Sequence, residues 1–172
     1  MDSPRRIYLI FLSSIALWCC MIVAAPILQS YSESTTPLAL LIDRFFSRVC
    51  HQLDDRSFHI GGHPWAVCIR CSAIYLSFFA GLCLMPFLRS LNDRTTPSFV
   101  WIAGAALPML IDVGLGILGI HESTSATRLI TGSIFGIVLP FFIYPPLLDA
   151  ITRISHGLSI RKGEILYARK TK

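Results

Sequence analysis

The chain has 172 residues, of which 53% are hydrophobic and only 15% charged, against roughly 25% charged in an ordinary soluble domain. That composition excludes a conventional soluble globular protein. The formal net charge of +5 invites a nucleic-acid reading, but ten of the fifteen Lys and Arg sit in three short segments: Arg5-Arg6, residues 89–94 and residues 153–172. That distribution argues against nucleic acid.

Residues 7–28, 67–88, 99–120 and 129–148 form four apolar runs whose only charges are Arg70 and Asp112. Each is about 20 residues, the length a helix needs to cross a hydrocarbon core of roughly 30 Å. Runs of this kind are helices, not barrel strands. The expectation is an all-α, polytopic membrane protein: four transmembrane helices plus an outer amphipathic helix, forming a single integral membrane domain over 1–172. Four spans put the three basic segments on one side, which the positive-inside rule assigns to the cytoplasm. Both termini are then cytoplasmic, in the cell (inner) membrane, and the basic tail 150–172 meets anionic lipid head groups. Arg5-Arg6, an apolar run and Val23-Ala24-Ala25 imitate a signal peptide. The run is long for a signal core, and Pro26 follows the would-be cleavage point, so an uncleaved first helix is expected.

In chain order, Cys19-Cys20 lie in the first helix and read as small packing residues. Residues 30–37 are a polar linker. Across 38–53, Leu38, Leu41, Ile42, Phe45, Phe46, Val49 and Leu53 recur at helical spacing, with Asp43, Arg44, Ser47, Arg48 and His51 opposite. Pro37 suits the first turn. This predicts the amphipathic helix, carrying Cys50 toward the bundle and His51 toward its edge. Residues 54–64 read as a loop, from Asp54-Asp55-Arg56-Ser57 and Gly61-Gly62; His59 and His63 in it are solvated or reserve ligands. The second long helix brings Cys68, Cys71 and Tyr75 to one face, while Arg70 points elsewhere, to snorkel or to meet an anion. The third places Pro108, Asp112, Gly116 and Gly119 on one face. The fourth does the same with Arg128, Thr131, Gly132 and Gly136, small residues at a spacing that permits close helix approach. A carboxylate in hydrocarbon needs a partner, and Arg128 is the expected one.

Residues 50–75 hold three of the six cysteines and three of the five histidines, and three readings stay open. Cys50, His51, Cys68 and Cys71 make a Cys₃His zinc set, with His59 or His63 as substitutes for His51. A Cys-x-x-Cys at a helix start also suits thiol–disulfide exchange, because its thiolate is favoured there. The layout resembles the quinone-linked disulfide oxidases of the bacterial disulfide-bond-formation B type, which implies Cys68 and Cys71 as the quinone-facing pair. That family carries a second cysteine pair in its second outer loop, and residues 121–127 have none. The third reading is a structural disulfide or zinc staple in a subunit of a membrane complex.

Cys50-His51-Gln52, Arg56-Ser57-Phe58, Cys68-x-Arg70-Cys71 and Ile74-Tyr75 together resemble the signature of a family of small prokaryotic membrane proteins, domain of unknown function 2085. Pro108-x-x-x-Asp112 and Arg128-x-x-Thr131-Gly132-x-x-x-Gly136 fit it too, so the likeness spans roughly residues 46–140. Val113 stands where the family pattern has glycine. The resemblance implies the membrane class and the site residues and supplies no reaction. The leading expectation is a juxtamembrane zinc site of Cys50, His51, Cys68 and Cys71 above a polar pocket. That pocket is lined by Arg56, Arg70, Tyr75, Asp112 and Arg128. It would take an anionic or lipid-like molecule from the surrounding bilayer, with Arg70 as a cofactor-binding residue and the other four as catalytic candidates. A quinone-linked thiol oxidoreductase is the alternative.

Overall fold

The structure, a computed structural model, describes residues 4–31 and 36–170, and side chains among these up to residue 155. Residues 32–35 of the linker expected at 30–37, and the side-chain charges expected to meet lipid along the tail beyond 155, lie outside what is described.

Helix α1 (Pro4–Tyr31) is followed by α2 (Thr36–Phe46), a 3₁₀ turn at Asp54–Arg56, strands β1 (Ser57–Ile60) and β2 (His63–Cys68), then α3 (Ile69–Leu88), α4 (Phe99–Ile117), α5 (Ser125–Val138) and α6 (Pro140–Lys170). Among the described residues four helical segments are long and apolar enough to cross a bilayer: α1, α3, α4 and the stretch Ser125–Ser155. The protein is therefore a polytopic helical membrane protein. The fourth span is α5 joined to the first half of α6. Pro140 has no N–H to give, so the ladder breaks there and restarts with the Phe142 and Ile143 amides donating to the Leu139 carbonyl.

The amphipathic helix is shorter than its periodicity predicts. It stops at Phe46, and one turn beyond it the Cys50 amide closes back onto the Phe46 carbonyl at 3.0 Å. Cys50 therefore sits past the helix rather than on its apolar stripe. The segment expected as a loop is instead a small antiparallel hairpin, pairing Ser57 with Cys68 and Ile60 with His63. Gly61 (φ 59°) and Gly62 (φ 81°) form its two-residue turn, with the positive φ at both positions that glycine adopts without strain. A Cβ on Gly61 would lie 2.7 Å from Ser30 Cβ, so the hairpin tip rests on the end of α1.

Helices α1 and α3 run antiparallel. Near one end the Tyr8 hydroxyl donates to the Leu82 carbonyl, and nearer the other the Cys19 thiol donates to the Tyr75 carbonyl. Two apolar clusters follow. One joins Ile7 and Tyr8 of α1 to Leu82 and Met85 of α3 and to Tyr144 and Leu148 of α6. The other joins Ile22 and Ala25 of α1 to Phe46 of α2, to Cys50 and to Ala66 and Val67 of β2. The tightest helix pair is α3 with α5. A Cβ on Gly132 would stand 2.9 Å from the Arg70 carbonyl oxygen, so only a glycine lets the backbones come this close. Helix α4 buries only Ala105 and Asp112 and turns most of its apolar surface outward, as a lipid-facing helix does. It ends in a Schellman turn. The Ile120 amide bonds the Leu115 carbonyl, the Gly119 amide bonds the Gly116 carbonyl, and Gly119 takes φ 68°. Gly119 is thus past the helix, not on the face shared by Pro108, Asp112 and Gly116.

Candidate metal centre and adjoining polar cleft

Three separate pieces of chain bring the cysteines together. Cys50 comes from the turn after α2, Cys68 is the last residue of β2 and caps α3, and Cys71 lies in the first turn of α3. Their sulfurs all lie within 4.8 Å of one another. Tetrahedral zinc with Zn–S bonds near 2.3 Å needs S···S separations of about 3.8 Å, so a contraction of about 1 Å or less would complete the geometry. All six cysteines are free thiols.

The Cys50 sulfur is the focus. It is 7% exposed and packs in the apolar cluster shared by α1, α2 and β2. It accepts the Cys68 amide at 3.2 Å and the Gln52 amide at 3.5 Å. Hydrogen bonds from the Cys68 and then the Cys71 thiol, with these two amides, pull its pKa well below the ordinary thiol value against the opposing effect of burial. These bonds favour the thiolate form within the cysteine cluster, and against the apolar wall a bound cation would offset that charge.

Gln52, which the sequence marks only as part of the Cys50-His51-Gln52 motif and assigns no role, shapes this turn. It is the one described non-glycine residue at positive φ (49°). Its side-chain amide donates to the Asp43 carbonyl and to the Ala66 carbonyl, both at 2.8 Å. It thereby ties α2 to β2 across the cysteines. The signal was its place directly after Cys50-His51.

His51 is exposed and does not join the three sulfurs. His59 is also exposed and pairs with Asp54 at 3.1 Å. Tyr75 faces α1 rather than the polar pocket: its ring stands 5.5 Å from that of Trp18, and it packs on the apolar cluster beside Cys71.

The polar residues gather on the other side of α3. Arg70, between Cys68 and Cys71 in sequence, turns toward α4 and α5. Its guanidinium is hydrogen-bonded to the Asp112 carboxylate and reaches Ser123 Oγ at 3.3 Å. The Ser123 hydroxyl donates to the same carboxylate at 2.8 Å. Asp112 is 7% exposed. The partner of Asp112 is thus Arg70 and not Arg128, because α3 packs closely on α5 and swings Arg70 into the gap beside α4. Arg128 instead lines an open cleft of about 690 Å³ with Asp55, Arg56, Arg70, Glu122 and the start of α5. The single pocket expected under the cysteines is therefore two places, a thiol site toward α1 and α2 and a polar cleft toward α4 and α5.

The sequence signature of a family described as predicted membrane protein (DUF2085) matches residues 50–142, from the first site cysteine into α6. An uncharacterised protein of Methanocaldococcus jannaschii is 33% identical over 150 residues, covering 86% of this chain and 96% of its own. Another, from Methanothermobacter thermautotrophicus, is 35% identical over 95 residues, covering 55% of this chain and 83% of its own. No solved structure matches the chain.

Proposed function

This chain belongs to the DUF2085 family of predicted membrane proteins, and on that footing we propose that it is a membrane metalloprotein holding zinc through Cys50, Cys68 and Cys71. One observation carries the reading: three free sulfurs from three different elements converge within 4.8 Å against an apolar wall. Thiolates select soft or borderline cations, and zinc takes such sets tetrahedrally. The fourth position falls to His51 after a side-chain rotation or to water; His63, at the other end of the extended strand β2, stands about 16 Å from Cys68 along the chain and is out of reach. A fourth protein ligand makes the zinc structural; water leaves room for hydrolytic chemistry. The site lies on the extracytoplasmic side of the cell membrane, with both termini in the cytoplasm.

A second reading rests on Cys68-x-x-Cys71 at the start of α3, where a thiolate is favoured. It makes the chain a quinone-linked thiol oxidoreductase. Metal analysis with thiol counting on the purified full chain separates the two. The zinc reading expects about one zinc per chain and three thiols that resist alkylation until a chelator is added. Cys50→Ser and Cys71→Ser should each abolish stoichiometric zinc. A Cys68–Cys71 disulfide, reducible by a dithiol and re-formed by quinone, would overturn it.

A further inference from the structure

The cleft between α4, α5 and the 3₁₀ turn is independent of the thiol site, and we propose that it binds a phosphate group, carried by a phospholipid head group or free in solution. Arg128, Arg56 and the amino end of α5 hold it.

The first observation is an unclaimed cation. The Arg128 guanidinium is half-buried in the cleft wall and has no hydrogen-bond or ion-pair partner among the described residues. Among the described residues Arg56 pairs only with its neighbour Asp55, at 3.4 Å with both side chains at least half exposed. A pair of that kind is worth little and exchanges easily. The Nε of Arg70, which also lines the cleft, is buried with no partner. Arginine forks match phosphate oxygens in pairs, which ammonium groups do not.

The second observation is the donor set at the start of α5. Thr124 Oγ1 caps the Thr127 amide at 3.2 Å. The amides of Ser125 and Ala126, in the first turn, have no acceptor within the helix. Ser125 lies in the cleft wall with Arg128, at the positive end of the helix dipole.

The acids in the region only partly offset this. Asp112 is held by Arg70 and Ser123. Asp55, released when Arg56 turns to the phosphate, and Glu122 are the carboxylates left in the wall, and both are exposed, where water screens them. The cleft also sits where α3 begins, α4 ends and α5 begins, at one end of the spanning bundle. That is the depth of lipid phosphates, and a volume of about 690 Å³ accommodates a head group.

The test uses the full chain in uncharged detergent, titrated calorimetrically with inorganic phosphate, with a short-chain phosphatidic acid and with the diacylglycerol of the same chains. Binding of phosphate or phosphatidic acid, without binding of diacylglycerol, is expected; whichever phosphate source binds more tightly is the occupant. Arg128→Gln should weaken the affinity about tenfold or more and Arg56→Gln somewhat less, each with unchanged metal content. Glu122→Gln, which removes a repelling charge, should strengthen it. The proposal is overturned if diacylglycerol binds as well as phosphatidic acid, if neither phosphate source binds, or if all three variants match the parent protein.

Discussion

Arg70 and Arg128 are the same residue type at the same end of the bundle, yet the fold gives them opposite tasks. Arg70 neutralises a carboxylate that is 7% exposed, whereas Arg128 has no acid to neutralise. Removing one member of a buried pair leaves an uncompensated charge, at a cost of about 3 kcal/mol or more. Arg70→Gln should therefore lower unfolding stability in detergent by about that much, and Arg70→Gln with Asp112→Asn should recover part of it. Arg128→Gln should change stability by about 0.5 kcal/mol or less, as surface substitutions do. Equal losses from Arg70→Gln and Arg128→Gln would mean that both guanidiniums share Asp112. The need for an Asp112 partner is legible in sequence, because a bare carboxylate in hydrocarbon is too costly. Which arginine answers is not, because that depends on the rotation of α3 about its axis when it packs on α5.

At the scale of elements, glycines set how closely helices meet. Gly132 admits α3 to van der Waals distance, while a Cβ on Gly114 of α4 would touch nothing. Gly132→Ala should destabilise by about 1–3 kcal/mol through forced separation, and Gly114→Ala should be neutral or stabilise by about 0.5 kcal/mol. Thermal unfolding of the two variants side by side checks this; similar effects would place the α3–α5 contact elsewhere. The connection between α3 and α4 is more ordered than its polar sequence implies. The Asp93 carboxylate accepts the Thr95 amide at 2.9 Å and the Arg89 guanidinium at 2.6 Å. The Thr95 amide, then Arg89, hold its pKa down at about 2 from an ordinary 3.8. A folded value below the unfolded one means a contribution fully present above pH 3.8 and lost as pH falls through about 2. The melting-temperature gap between the parent and Asp93→Asn should thus stay constant near neutral pH and close between about pH 4 and 2. A gap that persists at the lowest pH would remove Asp93 from the account. The shortened α2 and the hairpin belong to this scale too. Apolar spacing continues to Leu53, but the bonds of Gln52 to Asp43 and Ala66 reward leaving the helix, and periodicity cannot register a tertiary bond. The hairpin signal is Gly61-Gly62 between Phe58-His59-Ile60 and Trp65-Ala66-Val67, and runs this short beside polar turn residues read as loop.

For the whole molecule, four spans put the amino terminus and the far end of α6 on one side and the cysteines and the polar cleft on the other. A protease-sensitive tag after Lys172 should be protected in intact cells, and one inserted beside Glu122 should be cut. The reverse pattern would move the thiols into the reducing cytoplasm and remove the compartment in which disulfide chemistry is favoured.

The sequence by itself determined the class of protein, the number of spans and the family, because hydrophobic length and spaced motifs are properties of the chain alone. It also identified the three cysteines, since thiols at that spacing are unusual in apolar surroundings. Tertiary structure decided what meets what. It set Cys50 in the turn after α2 beside Cys68 and Cys71 and left His51 at the surface. It sent Tyr75 to Trp18, gave Asp112 to Arg70 and freed Arg128 into a cleft of its own. Those outcomes depend on where helices end and how they rotate against one another, and both are settled by packing between residues far apart in the chain.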